Sequence, residues 1–180
     1  MNPEGVRIRC AGPGDAADWV RTYLDSLSVA YAGFMPPEFF AQQRARAAEL
    51  VERCRAEFAA QRTEPDEPHR SWLAVDAAGP VGIVEVRVGP AEWELARGFP
   101  PAGPRRQLAK LYTLPHAHGS GLGQALLDTA IGADPAYLWI MAGNPRAEAF
   151  YRRNRFVPDG LAVSAGPSWF SRPTFRMHRT

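Results

Sequence analysis

In a chain of 180 residues, the run His118-Gly119-Ser120-Gly121-Leu122-Gly123 brings together residue types that can do chemistry. Alternating glycines let backbone N–H groups approach a ligand with no side chain in the way. An amphipathic pattern begins at Leu122, so a helix start falls at the same place and adds a partial positive charge of about +0.5. Backbone donors and that charge together suit a pyrophosphate. Two familiar phosphate loops are excluded. No Gly-Lys-Ser/Thr closes the run, and Gln124 stands where a dinucleotide fingerprint needs its third glycine. Taken alone, the cluster reads equally well as a tight turn between a strand and a helix. Asn144-Pro145-Arg146-Ala147-Glu148-Ala149-Phe150-Tyr151 is a second constellation, with a capping asparagine, a proline at the first helical position and a phenol six residues after that proline.

Both stretches need a scaffold, and periodicity predicts one. Residues 6–10 alternate as a strand, and Asp15 is the expected N-cap of a helix whose apolar stripe is Trp19, Val20, Tyr23, Leu24 and Leu27. After a turn over 31–37, a long helix is expected over 38–61, marked by Ala47, Leu50, Val51, Cys54 and Phe58, followed by a surface loop over 63–68. Strands over 71–76 and 81–88 form a hairpin around Ala77-Ala78-Gly79-Pro80. Residues 89–104 read as a long loop with an unusual apolar content, Trp93, Leu95 and Phe99. A strand over 107–114, a helix over 122–133, a strand over 137–141, a helix over 145–154 and short strands over 156–157 and 174–178 complete an α/β (α+β) chain.

Composition bounds the rest. The chain is 46% hydrophobic and 22% charged, with a formal net charge of +2, too small to argue for a nucleic-acid partner. Lys110 is the only lysine among 21 basic residues. No apolar run reaches the ~18 residues of a membrane span, and no secretory leader is visible, so a cytoplasmic protein is expected. Cys10 and Cys54 make no disulfide framework, and the four histidines share no metal-ligand spacing, so no metal is expected. One domain over 1–180, monomeric or homodimeric, is the expectation.

Leu111-Tyr112-Thr113-Leu114-Pro115, His118-x-x-Gly121-x-Gly123 and Asn144-x-x-Ala147-x-x-Phe150-Tyr151 together resemble the GNAT superfamily of acetyl-CoA-dependent N-acetyltransferases. The likeness is specific over 111–156 and looser elsewhere. It implies a mixed, mostly antiparallel sheet with a splayed central strand pair and helices on both faces. It implies acetyl-CoA as acyl donor, its pantetheine arm along the main chain of Leu111, Tyr112 and Thr113. His118, Gly119, Ser120, Gly121, Leu122, Gly123 and Gln124 would meet the pyrophosphate; Asn144, Ala147 and Phe150 would meet the arm, and Tyr151 the sulfur. Two positions depart from the family: His118 replaces the usual Arg or Gln, and Arg155 replaces a glycine before Phe156, with Asn154 expected to take the left-handed turn instead.

The implied reaction is transfer of acetyl to a primary amine of a small molecule or peptide, by direct attack in a ternary complex. An alkylammonium is only about 0.04% neutral at pH 7, so its proton must be taken up. An amide N–H at Thr113 would polarise the acetyl carbonyl, and Tyr151 would return a proton to the sulfur. Gln107 stands where some relatives place a glutamate; Glu85 is the first candidate base, ahead of Glu92, Glu94 and His116. The plain alternatives are a solvent-facing Glu85 and a core-packing Tyr151. For the whole chain, the alternative is a catalytically silent acyl-CoA-binding sensor or assembly module. The first helices, with Trp19, Tyr23, Tyr31 and Phe34, and the 89–104 loop are expected to flank the acceptor end.

Overall fold

Seven strands form one sheet in the computed structural model, which describes residues 3–63 and 69–180. They are β1 (Arg7–Cys10), β2 (Arg70–Asp76), β3 (Gly79–Val88), β4 (Arg106–Thr113), β5 (Ala136–Met141), β6 (Val157–Ser164) and β7 (Pro173–Arg179). Their order is β1-β2-β3-β4-β5-β7-β6, and every neighbouring pair is antiparallel except β4 and β5. The helices are α1 (Ala16–Ala30), α2 (Pro37–Ala45), α3 (Ala47–Thr63), α4 (Glu92–Ala96), α5 (Leu122–Ala130) and α6 (Pro145–Arg153). Among the described residues, no helix is long and apolar enough to cross a membrane.

Strand alternation sends side chains to both faces, so each face needs its own cover. Leu73 of β2 and Ile83 of β3 meet Trp19, Leu27 and Phe58 of α1 and α3 on one side. Ala74, Val84 and Val86 meet Leu122, Leu126 and Leu127 of α5 on the other. The fold is the mixed, helix-sandwiched sheet that the motifs implied.

A bulge in β4 decides where the site's side chains go. Glu85 pairs with Lys110 but Val86 pairs with Leu108, leaving Ala109 as the extra residue. One extra residue flips the alternation. Leu108 and Leu111 therefore share the α5 face, while Tyr112 packs with the α1 core.

Several boundaries differ from expectation. The long helix is two helices broken at Arg46: α2 buries Phe39 and Gln43, α3 buries Leu50, Cys54 and Phe58, and the break lets each stripe face inward. Asp15 does not cap α1 with its side chain. Its carboxylate turns back to the Gly12 N–H at 2.7 Å and to Arg9 at 2.6 Å, tying β1 to a short 3-10 turn. Arg155, not Asn154, takes the left-handed conformation (φ 65°), because Asn154 is right-handed and donates its side-chain amide to the Phe150 carbonyl at 3.0 Å. β6 runs well beyond 157; its exposed and half-buried residues alternate at the sheet edge, too weakly apolar to read as a core strand. The expected 63–68 loop lies, from 64 on, outside the described residues.

Candidate active site

β4 and β5 pair only at Gln107 and Tyr137 and then diverge, opening a slot of about 600 Å³. Past that point alternate N–H and C=O groups of β4 face the gap with no strand to bind them. Leu111, Tyr112 and Thr113 form one wall. Asn144, Ala147, Phe150 and Tyr151 face them from α6 and its cap. His118, Gly119, Gly121, Gly123 and Gln124 close one end. Ser120 and Leu122 do not line the slot. The Ser120 hydroxyl donates to the Ala117 carbonyl at 2.8 Å and accepts from the Leu122 N–H at 3.3 Å, and the Leu122 side chain is core.

Gly119 (φ 82°) and Gly121 (φ 88°) hold the left-handed backbone that starts α5, and a Cβ on either would point into open space. The first turn of a helix leaves N–H groups without intrahelical acceptors. Leu122 spends its N–H on Ser120, so those of Gly123 and Gln124 remain for a ligand. His118 sits beside them as a clamp. Its Nε2 lies 3.2 Å from the Thr113 carbonyl and its Nδ1 meets the Arg146 guanidinium, which only donates; the ring therefore carries its proton on Nε2. Burial and the Arg146 charge lower its pKa, so it is neutral at pH 7. Asn144 accepts the Ala147 N–H at 3.1 Å, capping α6 while its amide nitrogen stays available.

Three phenols gather toward the deep side. The Tyr31 and Tyr112 hydroxyls lie 3.1 Å apart, and Tyr151 packs edge-on to Phe150 and Phe156 at 5.3 and 5.7 Å. Burial pushes the Tyr151 phenol well up from its ordinary value, so it is protonated across the physiological range. Tyr31 and Ser26, both from the α1 region, are slot residues that sequence reasoning did not assign to the donor site; Tyr31 carried a signal only as an aromatic at a turn.

The family model described as "Acetyltransferase (GNAT) domain" matches residues 67–158, half of the chain and the part that supplies most of the slot's lining. The chain belongs to the GNAT acetyltransferase family. Solved structures agree on the fold. The PaiA N-acetyltransferase from Thermoplasma acidophilum, in complex with coenzyme A, matches at 16% identity and a TM-score of 0.70, over 97% of this chain and 98% of that one. An acetyltransferase from Thermus thermophilus matches at 21% and 0.58, over 99% of each. A SpeG spermidine N-acetyltransferase chimera from Vibrio cholerae and hSSAT matches at 18% and 0.59, over 97% of this chain and 95% of that one. No curated protein sequence matches the chain.

Glu85 does not join the slot of this GNAT protein, nor does it face solvent. It is 1% exposed on the α1 and α3 side of the sheet, 2.9 Å from Lys110 Nζ and ion-paired with Arg87. Burial alone would raise its pKa, but Lys110 and Arg87 outweigh it and hold the carboxyl at about 2. His69, 3.6 Å away, acts on Glu85 in the same lowering sense, while burial lowers its own pKa. A carboxylate with that pKa is a poor base. Because its folded pKa lies below its unfolded value, its stabilisation is complete above about pH 4.5 and is lost as pH falls toward 2. Acid titration of the fold should show a drop of roughly 3 kcal/mol across that window, absent in Glu85→Gln, when followed by urea unfolding at each pH.

The remaining expectations separate cleanly. The 89–104 loop contains α4, and Trp93 and Phe99 stack on Trp139 at 5.1 and 5.7 Å, which accounts for its apolar content. Glu94 is buried and accepts the Tyr137 hydroxyl at 2.9 Å. The loop lines neither cavity, so it does not wall an acceptor site there. Glu92 and His116 are exposed outside both cavities. A second cavity, of about 160 Å³, lies on the α1 and α3 side of the sheet and contains Glu85, Trp19 and Tyr23. Lys110 lines both cavities.

Proposed function

We propose that the chain, as one domain over 1–180, transfers an acetyl group from acetyl-CoA to a primary amine of a small molecule or peptide, with donor and acceptor bound together. The observation that carries this is the slot between β4 and β5, with unpaired helix N–H groups at one end and a protonated phenol inside. Its donors suit the cosubstrate's two halves. Gly123 and Gln124 offer N–H groups and a helix start to a pyrophosphate. The free edge of β4 at Leu111 and Thr113 offers the pantetheine amides a strand-like partner. Buried and without a protein partner among the described residues, Trp139 Nε1–H and the Ser26 hydroxyl add two more polar groups on the slot wall.

Acetyl-CoA supplies the activated thioester. Tyr151 holds a proton at Oη that a departing thiolate can take, and the exposed N–H groups of β4 polarise a carbonyl laid along them. No carboxylate lines the slot among the described residues, so the acceptor's proton leaves to solvent past the Tyr31 and Tyr112 hydroxyls. That same lack favours a second reading, a catalytically silent acyl-CoA-binding module.

Gly123→Val tests the site without touching the left-handed glycines. Gly123 is inside α5, and a Cβ there meets only Phe150 at 3.6 Å, an ordinary contact. Valine is at least as good as glycine in a helix, so Tm should hold within about 3 °C while CoA affinity falls at least about tenfold by calorimetry. Absence of CoA binding to the unaltered protein overturns the cofactor assignment. Thiol release from acetyl-CoA with an amine panel separates the enzyme from the silent module.

A further inference from the structure

The second cavity carries an unbalanced set of charges. Arg46, Arg53, Arg87 and Lys110 line it against Glu57 and Glu85 alone. Both carboxylates are already shared. Glu85 is held by Lys110 and Arg87, and Glu57 by Arg87 at 3.3 Å and Arg53 at 3.9 Å. Among the described residues, the one other acid engaging these four cations is Glu49, which meets Arg46 at 3.2 Å from outside the lining and is exposed. A cationic ligand would have to displace a guanidinium from a carboxylate. An anionic ligand meets two arginines whose present partners are distant or solvent-screened. Trp19 adds a second and independent sign: it is 1% exposed, lines the cavity, and its indole N–H has no acceptor among the described residues. A buried donor without a partner costs free energy that an anion's oxygen would recover.

The cavity adjoins the slot. Tyr23 on its side packs edge-on to Tyr112 of the slot at 5.3 Å, Trp169 on its side packs against Tyr31 at 6.0 Å, and Lys110 belongs to both. The two therefore meet at the Lys110 side chain. The volume, about 160 Å³, is the share of about five water molecules at ~30 Å³ each, the size of a small organic acid. Cys54, also on the wall, is a neutral thiol raised by burial to about 11 and offers no competing nucleophile.

We propose that this cavity binds a carboxylate of the acceptor, so that the amine acetylated in the slot belongs to a small amino acid and not to a diamine or polyamine. The inference rests on the acetyltransferase reading and names its substrate class. Arg46 and Arg53 hold the anion; Lys110 and Arg87 are committed to Glu85 and set the positive field around it.

The test compares ω-amino acids from glycine to 6-aminohexanoate with the n-alkylamines and α,ω-diamines of the same length. The amino acid should exceed its matched alkylamine by about tenfold or more in kcat/KM, and exceed the diamine further, as expected for a charge-assisted contact. Arg46→Gln/Arg53→Gln should shrink the preference over alkylamines to about threefold or less through acceptor KM, with CoA affinity within about twofold of the parent. Both side chains are about half exposed, at 50% and 47%, so this pair does not threaten the fold as a Lys110 or Arg87 change would. A readout without turnover is calorimetric binding of 4-acetamidobutanoate against N-butylacetamide in the absence of CoA. Only the first should bind, and the double variant should lose it. Equal or better use of alkylamines or diamines, a preference untouched by the double variant, or no binding of 4-acetamidobutanoate overturns the proposal. Failure of CoA itself to bind overturns the acetyltransferase reading instead, and the calorimetry still decides the cavity.

Discussion

Tyr151→Phe should lower kcat about a hundredfold while leaving CoA affinity within about twofold, the mark of a proton donor used only in the chemical step. The structure makes this substitution unusually clean. The phenol has no hydrogen-bond partner among the described residues, so removing its oxygen orphans no neighbour, and the ring keeps its edge-on contacts with Phe150 and Phe156. Tm should therefore be unchanged or slightly raised. Since burial raises the phenol's pKa, the parent enzyme should show no loss of rate from Tyr151 deprotonation below about pH 10. The measurement needs an acceptor for which chemistry, not product release, limits turnover. Equal kcat for the two proteins under that condition would reduce Tyr151 to a packing residue.

Lys110→Met should cost roughly 3 kcal/mol of stability, among the larger single-residue losses available in this chain. The reason is the neighbour left behind. Glu85 is 2% exposed at its side chain and would keep a full charge in the sheet with Arg87 as its one strong partner. For a domain of this size that corresponds to a fall in Tm of roughly 6–12 °C. Adding Glu85→Gln to Lys110→Met should recover part of the loss, because the stranded charge is then gone; a double variant no more stable than the single would show that the ion pair is not the cause. Lys110→Arg is not a mild control. The ammonium sits 5.5 Å from the Trp19 ring centre and 5.7 Å from that of Tyr23, a compact space that a planar fork does not copy.

Much of the lining of the slot was legible in local sequence, for a physical reason. A glycine run before an amphipathic helix and an asparagine-proline start before another are backbone instructions, executed within a few residues of where they are written. Gly119, Gly121, Gly123 and Asn144 sit on the slot because chain geometry near a helix start leaves them little choice. The β2–β3 hairpin was legible on the same grounds, from turn residues and alternation. Local rules failed where two signals competed. Arg46 breaks a continuous helical pattern because the two stripes on either side of it must face one core, and Arg155 takes the left-handed turn because Asn154 is still capping the end of α6.

What faces what was decided only by tertiary structure. Alternation in β3 reads the same whether Glu85 meets water or the interior; the covering helices α1 and α3 make it interior, and Lys110 arrives opposite it across the β3–β4 ladder. The Ala109 bulge reverses the alternation of β4, with no mark in the sequence, and so sends Lys110 and Tyr112 to the α1 side. Trp93 and Phe99 read as a wall for a substrate until Trp139, some forty residues away in sequence, is seen beneath them. The four-cation cavity draws on α1, α2, α3, β3 and β4 and the β6–β7 connection. Such a site has no local signature, because its field is a sum over side chains distant in sequence, and only the folded chain performs that sum.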